Sequence, residues 1–225
     1  MPEEDEIQMA IRAVIWDLDG TLLDTLSDLC NSVNAALQMH NLPLHTIDEV
    51  RTFVGGGIKN LIDRSVPAGY DPEKTAQVLA DFTAHYAEHS KDLTRPYDGI
   101  LDTLDALLAR GVKMGIVSNK IDFAVKELSR EYFGDRMLVS VGDDPSRPRK
   151  PAPDSVWEAM RQLGVTKEET VYVGDSDADV YTAHNAGLPC VAVSWGFRSR
   201  ECLVSAGADV IADTTEALFE ALMTL

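Results

Sequence analysis

The stretch Ile11-Arg-Ala-Val-Ile-Trp-Asp-Leu-Asp-Gly-Thr21 decides the fold predicted for this chain. It begins as a short apolar run, residues 11–16, and ends in two aspartates, a glycine and a threonine. Such a run, bounded by a turn signal, is typical of a buried strand followed by a tight turn. Ligands of open parallel sheets bind beyond the carboxyl ends of the strands. The residues directly after this run are therefore candidate functional residues.

Apolar runs of the same kind recur along the rest of the chain, and helical patterns lie between the later ones. The apolar residues of 100–108 fall on one face of a helix, and Gly111 lies just past its end. The alternation of strand and helix predicts an α/β fold with a doubly wound, Rossmann-like parallel sheet covered by helices on both faces. The further predicted strands are 112–117, 137–141, 170–173, 189–193 and 209–211.

The alternation is interrupted once, between the first and second predicted strands. Residues 24–92 contain no convincing strand, but they contain two amphipathic helical patterns, from Leu26 to Leu37 and from Val78 to Tyr86. We therefore expect a helical cap domain at 24–92, inserted into a core domain made of 1–23 and 93–225. Asp24 and Thr94 mark the expected hinges.

The charge balance excludes several classes of partner. The chain has 20 Lys and Arg against 37 Asp and Glu, a net charge of −17. This argues against nucleic acid and against an anionic membrane, because both are bound mostly through Lys and Arg. The acidic segment 2–6 does not resemble a secretory signal, and no apolar stretch approaches the ~20 residues that span a bilayer. The three scattered cysteines, Cys30, Cys190 and Cys202, favour a reducing compartment, so we expect a cytoplasmic protein.

Four of the predicted strand ends carry polar groups that complement one another. Carboxylates follow the first strand (Asp17, Asp19) and the fourth (Asp175, Asp179). Two like charges ~4 Å apart repel by about 4 kcal/mol at an effective dielectric constant of roughly 20, so a cation is needed among them. Ligands that are all oxygen favour Mg²⁺ over a transition metal. The other two strand ends supply Ser118-Asn119 and, in the loop beyond the third strand, Lys150.

These four elements, in this order, resemble the motifs of the haloacid dehalogenase-like superfamily of phosphotransferases. The motifs are an Asp-x-Asp-x-Thr loop, a Ser or Thr, a Lys and a late acidic pair. The inserted helices stand where the first type of helical cap of that superfamily stands. Within it, Phe53-Val-Gly-Gly-Gly-Ile58 and Asp17-Leu-Asp-Gly-Thr-Leu-Leu-Asp24 look most like the branch of phosphoglycolate phosphatases.

The resemblance implies a catalytic role for four residues. Asp17 would be the nucleophile and form an aspartyl-phosphate. Asp19 would act as general acid on the leaving oxygen and then as general base on the hydrolytic water. Ser118 would donate a hydrogen bond to the transferring phosphoryl group. Lys150 would offset the negative charge of Asp17 and the phosphate.

The resemblance also implies a metal site and a phosphate site. Asp19 would give its backbone carbonyl to Mg²⁺, and Asp179 would orient a water ligand or Lys150 from slightly further out. Glycine-rich backbone at the start of a cap helix could present N–H groups to an anion. The expected metal-binding residues are Asp17, Asp19, Asp175 and Asp179, and the expected phosphate-binding residues are Thr21, Asn119, Gly55, Gly56 and Gly57.

Each of these interpretations has a structural alternative. Ser118 and Asn119 precede a helical pattern that begins near Ile121, so they could simply cap that helix. The glycine segment 55–57 could be a turn between cap helices, and Lys150 could be a solvated lysine of a basic loop.

The function expected from the sequence is a Mg²⁺-dependent phosphomonoesterase for a small phosphorylated metabolite, with phosphoglycolate as the leading candidate. The alternatives are a β-phosphoglucomutase-like phosphomutase of the same superfamily, a pyrophosphatase, a phosphonate-cleaving enzyme and a catalytically silent binding module. Phosphonate cleavage would need a reactive cap lysine, and Lys59 is the one candidate in the glycine-rich segment.

Overall fold

The computed structural model describes residues 11–225, and residues 1–10, including the acidic segment 2–6, lie outside the described part. A parallel sheet of six strands, flanked by helices, forms the core, which confirms the predicted α/β fold. Along the chain the strands are β1 (Ala13–Trp16), β2 (Leu23–Asp24), β3 (Arg95–Pro96), β4 (Lys113–Ile121), β5 (Val139–Asp143), β6 (Thr170–Gly174), β7 (Cys190–Val193) and β8 (Val210–Ala212). The order in the sheet is β5-β4-β1-β6-β7-β8.

Strand β1 occupies the middle of this sheet, between β4 and β6. Val14 and Trp16 belong to one hydrophobic cluster, while Ala13 and Ile15 belong to another. Both faces are therefore buried, which explains why the strand is apolar throughout instead of alternating. As a result, the chain leaves β1 at the centre of the carboxyl edge, where Asp17 follows.

Two predicted strands differ most from the observed ones in their bounds. β4 does not end at residue 117 but continues to Ile121, with a register shift against β5 between Val117 and Ile121. Ser118 and Asn119 thus belong to a strand, and the next helix starts only at Asp122. The alternative that they cap this helix is wrong. β5 lies two residues later than predicted, because residues 137 and 138 form the approach to the strand.

Ten helices accompany the eight strands in the described residues. Four of them lie in the inserted segment, which we call the cap; the sequence indicated the first and the last of these but missed the two short ones between. The cap helices are α1 (Leu26–Met39), α2 (Ile47–Phe53), α3 (Gly57–Ser65) and α4 (Pro72–His89). The core helices are α5 (Ile100–Leu108), α6 (Asp122–Tyr132), α7 (Asp154–Leu163), α8 (Asp177–Ala186), α9 (Arg200–Ala206) and α10 (Thr215–Thr224).

The cap helices pack around a hydrophobic cluster of their own, which includes Val33, Ile62 and Phe82. The chain enters and leaves the cap side by side, because β2 pairs with β3 in an antiparallel ladder of two residues each. The two chain connections between core and cap therefore lie side by side, next to the carboxyl edge of the core sheet.

Asp28, on the first turn of α1, holds the returning chain at these connections. Its carboxylate is buried and accepts hydrogen bonds from the backbone N–H groups of Leu93, at 3.0 Å, and Thr94, at 2.8 Å. Buried backbone N–H groups require acceptors. This contact thus fixes the start of the cap against its end.

We expect Asp28→Ala to lower the free energy of unfolding by about 2–3 kcal/mol, because two backbone N–H groups, of which that of Thr94 is buried, lose a charged acceptor. Urea denaturation followed by circular dichroism would measure the loss. Asp48→Ala, at an exposed position of α2, is the matched control and should change stability by less than about 0.5 kcal/mol. Equal stability of the two variants would contradict the role of Asp28.

Candidate active site

Lys150 stands at the centre of the carboxyl edge, between two carboxylates. Its Nζ lies 2.7 Å from Oδ1 of Asp17 and 2.7 Å from Oδ1 of Asp179, and only 5% of its side chain is exposed. It also donates to the hydroxyl of Tyr172 at 3.2 Å. Burial opposes the charge of the ammonium, but Asp17 and Asp179 outweigh it and raise the pKa of Lys150 well above its usual value. The lysine is therefore a fixed positive charge.

Asp17 is held through one oxygen and left open through the other. Its Oδ1 accepts from Lys150, whereas no donor among residues 11–225 contacts Oδ2, and the residue lines a cavity between core and cap. Burial, followed by the charge of Asp179, raises the pKa of Asp17 despite the nearby lysine. An ionised Asp17 thus calls for more positive charge than Lys150 alone provides.

Asp175 is a second buried carboxylate of the cavity wall. Its Oδ1 accepts from the hydroxyl of Thr21 at 3.0 Å, and its Oδ2 accepts from the N–H of Phe197 at 2.7 Å. Burial, together with the charge of Asp179, raises the pKa of Asp175 to about 7. Gly20 has a φ of +89°, and a Cβ there would lie 2.5 Å from Oδ2 of Asp175. A glycine is therefore required for the backbone to approach this carboxylate so closely.

Asp179 has its hydrogen-bonding capacity filled by the protein. Its Oδ1 accepts from Lys150 and from the hydroxyl of Tyr172, and its Oδ2 accepts from the N–H and the hydroxyl of Ser176. A carboxylate offers about four lone-pair sites. The geometry suits Asp179 to holding Lys150 in place, the second of the two roles expected for it.

The three carboxylates of this edge fit a divalent cation in charge, and Asp17 and Asp175 keep lone pairs that could ligate it. One oxygen each of Asp17, Asp175 and Asp179 lies within 4.8 Å of the other two, and all three residues are buried. Three carboxylates beside one ammonium leave two negative charges uncompensated, which a divalent ion would balance. Oxygen donors alone are the chemistry of Mg²⁺ or Ca²⁺ sites. The Asp19 carboxylate is not part of this group.

The carboxylate of Asp19 instead pairs with a second buried lysine. The Nζ of Lys120 donates to both oxygens of Asp19, at 2.9 and 3.2 Å, and to the hydroxyl of Tyr86 on α4, at 2.7 Å. Burial alone would lower the pKa of Lys120, but Asp19 and Tyr86 outweigh it and raise the value. The pair is balanced in charge and stands beside the three-carboxylate group.

Ser118 and Asn119 reach the same cavity from β4. The hydroxyl of Ser118 accepts from the N–H of Lys120 at 3.2 Å, which leaves its own hydrogen free to donate into the cavity. Asn119 accepts from the N–H of Lys150 at 3.0 Å and donates to the carbonyl of Gly55 at 3.3 Å. Asn119 thus ties the Lys150 loop to the cap.

The glycine segment of the cap forms one side of the cavity mouth. Gly55 and Gly57 line the cavity, whereas Gly56 caps α3 and does not. The guanidinium of Arg198, in the loop after β7, donates to the carbonyls of Arg51 and Val54. The wall above the carboxylates is mainly apolar and consists of Leu29, Val54, Ile58, Leu61, Tyr86 and Phe197.

The structure thus brings most of the predicted residues to one cavity; one supports the cavity from behind, and two lie elsewhere. Asp17, Asp19, Ser118, Asn119, Lys150, Asp175, Gly55 and Gly57 line the cavity, and Asp179 supports it from behind. Thr21 is fully buried and bonds to Asp175, so it braces a carboxylate and does not face the cavity. Gly56 is the other.

Sequence reasoning missed Lys120, Tyr86, Tyr172 and Arg198. For Lys120 a signal was present, since side chains alternate along a strand and Lys120 stands two residues after Ser118. The register shift in β4 and the cap contact were not readable from the sequence. Tyr172 and Arg198 looked like an ordinary core residue and an ordinary loop residue.

Comparison with known proteins assigns the family. A family model described as haloacid dehalogenase-like hydrolase matches residues 14–193. N-acetylmuramic acid 6-phosphate phosphatase of Pseudomonas aeruginosa is 32% identical over 217 residues, which are 96% of each chain. Phosphoglycolate phosphatase of Pseudomonas putida is 33% identical and covers 92% of this chain and 78% of that protein. The chain therefore belongs to the haloacid dehalogenase-like hydrolase family.

The solved structures agree with this family and place the chain among its phosphatases. A crystal structure from Lactobacillus delbrueckii subsp. bulgaricus, provisionally assigned as a phosphoglycolate phosphatase, has a TM-score of 0.92 and 34% identity. The match covers 96% of this chain and 100% of that one. Within the family, the protein is a phosphatase. No helix among residues 11–225 is both long and apolar enough to cross a membrane.

We expect Mg²⁺ to raise the melting temperature and to do so more at about pH 8 than at about pH 6, because a proton on Asp175 competes with the cation. In the metal-free protein the raised pKa of Asp175 has the opposite effect. Its protonated form stabilises the fold at low pH, and that contribution is lost as the pH rises through about 7. Differential scanning fluorimetry across this pH range, with and without Mg²⁺, measures both trends.

The stability gained from Mg²⁺ depends on the ratio of the Mg²⁺ concentration to the dissociation constant. At a Mg²⁺ concentration of ~100 times the dissociation constant, the added stability is about 2.7 kcal/mol. Asp175→Asn should abolish most of it. Asp177→Asn, a control two residues away at a half-exposed position outside the carboxylate group, should keep it. A Mg²⁺ effect that survives Asp175→Asn would contradict the assigned site.

Proposed function

We propose that the protein is a Mg²⁺-dependent phosphomonoesterase that works through an aspartyl-phosphate on Asp17. The observation that carries the proposal is the asymmetry of this carboxylate: Lys150 holds Oδ1, no donor among residues 11–225 contacts Oδ2, and the residue lines the cavity. A nucleophile needs one free, oriented oxygen and a nearby positive charge to stabilise the transferring group. Asp17 has both.

Asp17 and Asp175 would hold the metal, with the backbone carbonyl of Asp19 as a further ligand. The ion would neutralise charge on the phosphoryl oxygens and on the carboxylates around them. Asp179 keeps Lys150 aimed at Asp17, and Thr21 keeps Asp175 aimed at the cavity.

The chemistry requires two displacements at phosphorus. Oδ2 of Asp17 attacks and the ester P–O bond breaks, while Asp19, protonated on an oxygen lone pair that Lys120 does not use, gives that proton to the departing alcohol oxygen. Water then attacks the aspartyl-phosphate and gives a proton to Asp19, so that inorganic phosphate leaves and Asp17 is restored. Ser118 donates to a phosphoryl oxygen, and Lys150 compensates the negative charge in both steps.

The proposed substrate is a small phosphorylated metabolite, with phosphoglycolate as the leading candidate. The names of several relatives support phosphoglycolate, and the relative from Pseudomonas aeruginosa adds N-acetylmuramic acid 6-phosphate to the panel. Nucleic acid and membranes do not fit the proposed role, given the net charge of −17. The three cysteines are free, which supports a cytoplasmic location.

The cap, residues 24–92, is proposed to close over the bound substrate and exclude bulk water, with the paired strands β2 and β3 at its hinge. Phosphonate cleavage has less support. The Lys59 side chain is 69% exposed, pairs with Asp63 and does not line the cavity. A reactive cap lysine would need to face the substrate.

Phosphomutase and pyrophosphatase activities are distinguished by product. A panel of phosphate esters with Mg²⁺, including phosphoglycolate, N-acetylmuramic acid 6-phosphate, sugar phosphates and pyrophosphate, separates them from simple ester hydrolysis. We expect phosphate release from at least one small monoester to exceed both sugar-phosphate isomerisation and pyrophosphate cleavage. Faster isomerisation would support the mutase, and binding without turnover across the panel would support a silent binding module.

Asp17→Asn should reduce Mg²⁺-dependent phosphate release by at least ~10⁴-fold, because no second step can proceed without the aspartyl-phosphate. Single-turnover assays with a labelled phosphate ester should show acid-stable label on the wild type and none on the variant. Asp177→Asn is again the matched control and should keep both the label and the turnover. A labelled or active Asp17→Asn variant would disprove the assignment of the nucleophile.

A further inference from the structure

Lys120 is a buried cation to which the proposed chemistry gives no role. Only 6% of its side chain is exposed. Burying an ammonium costs several kcal/mol unless it is paired and hydrogen-bonded. Its three N–H donors have three acceptors, namely the two carboxylate oxygens of Asp19 and the hydroxyl of Tyr86. No donor is left for a substrate, so the lysine is suited to positioning other groups.

The two partners of Lys120 come from opposite sides of the cavity. Asp19 belongs to the core loop after β1, and Tyr86 belongs to α4 of the cap. The ring of Tyr86 stacks on that of Phe82 at a centroid distance of 5.4 Å, and both rings are buried in the hydrophobic cluster of the cap. Tyr86 therefore moves with the cap, while Lys120 and Asp19 stay with the core.

We propose that Lys120 and Tyr86 form a positioning pair that fixes the Asp19 carboxylate for proton transfer when the cap is closed. The inference rests on the proposed function, because it assigns the leaving-group proton to Asp19. Closure brings the Tyr86 hydroxyl to the third N–H of Lys120 and removes water from around the ammonium. The lysine then stands at one fixed point and orients the Asp19 carboxyl group, which carries its proton on an oxygen lone pair that Lys120 does not use.

Opening of the cap releases this arrangement. Lys120 exchanges Tyr86 for water, and Asp19 becomes free to rotate with its partner. Proton transfer requires the acid to lie within about 2.6–3.2 Å of the reacting oxygen. Esters with a basic leaving group therefore depend on the pair, whereas esters whose leaving group departs as a stable anion do not.

The test compares two aryl phosphates that differ in the acidity of the leaving group. Phenol has a pKa of about 10, like the tyrosine side chain, and needs a proton on departure; p-nitrophenol is more acidic and does not. In Lys120→Met, kcat/KM should fall by ~10²-fold or more for phenyl phosphate and by less than ~10-fold for p-nitrophenyl phosphate. Tyr86→Phe keeps the ring and loses the hydroxyl. It should also lower kcat/KM for phenyl phosphate relative to p-nitrophenyl phosphate, but by less than Lys120→Met does.

Matched controls separate positioning from general disturbance. Lys126→Met is the control for Lys120→Met and lies at an exposed lysine of α6 that pairs with Asp122. Tyr181→Phe is the control for Tyr86→Phe and lies at an exposed tyrosine of α8. Neither should change the ratio between the two esters. Lys120→Arg keeps the charge and the donors and should recover part of the phenyl phosphate activity.

The outcomes distinguish the inference from the function on which it rests. An equal loss of kcat/KM on both esters in Lys120→Met and Tyr86→Phe, with wild-type activity intact, would overturn the positioning pair and leave the phosphatase proposal standing. A wild-type protein that releases no phosphate with Mg²⁺, from these esters or from the metabolite panel, would overturn both.

Discussion

The contact between Lys150 and the two carboxylates of Asp17 and Asp179 is the interaction on which the rest of the site depends. The ammonium keeps one oxygen of Asp17 in place, and no donor among residues 11–225 contacts the other. It also sets the charge balance of the edge, because three buried carboxylates outnumber it. This arrangement is suited to binding a divalent cation and a phosphate together, because the positive charge of the cation offsets the negative charge of the carboxylates and of the phosphate.

The parallel sheet makes this arrangement possible by bringing distant parts of the chain to one edge. β1, β4 and β6 end next to one another, and each delivers polar groups directly after buried apolar residues. The cap completes the cavity from above and is tied to the core partly through its main chain. Asn119 and Arg198 bind backbone carbonyls of the glycine segment and of the end of α2, so these ties do not depend on the side chains there.

Much of this could be predicted from the sequence, because motif order and strand ends are local signals. The parallel sheet and the gathering of Asp17, Ser118, Lys150 and Asp175 follow from apolar runs that end in polar residues. What could not be predicted depends on contacts between remote segments. The pairing of Lys120 with Tyr86 joins a strand to a cap helix. Helices α2 and α3 each contain only three large apolar residues, which is too few for a clear periodic signal.

The central position of β1 has a consequence for the order in which the protein folds during synthesis. This strand emerges first, yet its neighbours begin at residues 113 and 170. At roughly 5–20 residues per second, it waits on the order of 10 s for them. The cap helices, whose contacts are local, can pack while it waits. Asp17 therefore gains its lysine and its companion carboxylates only when most of the chain has left the ribosome, and incomplete chains carry Asp17 without these partners.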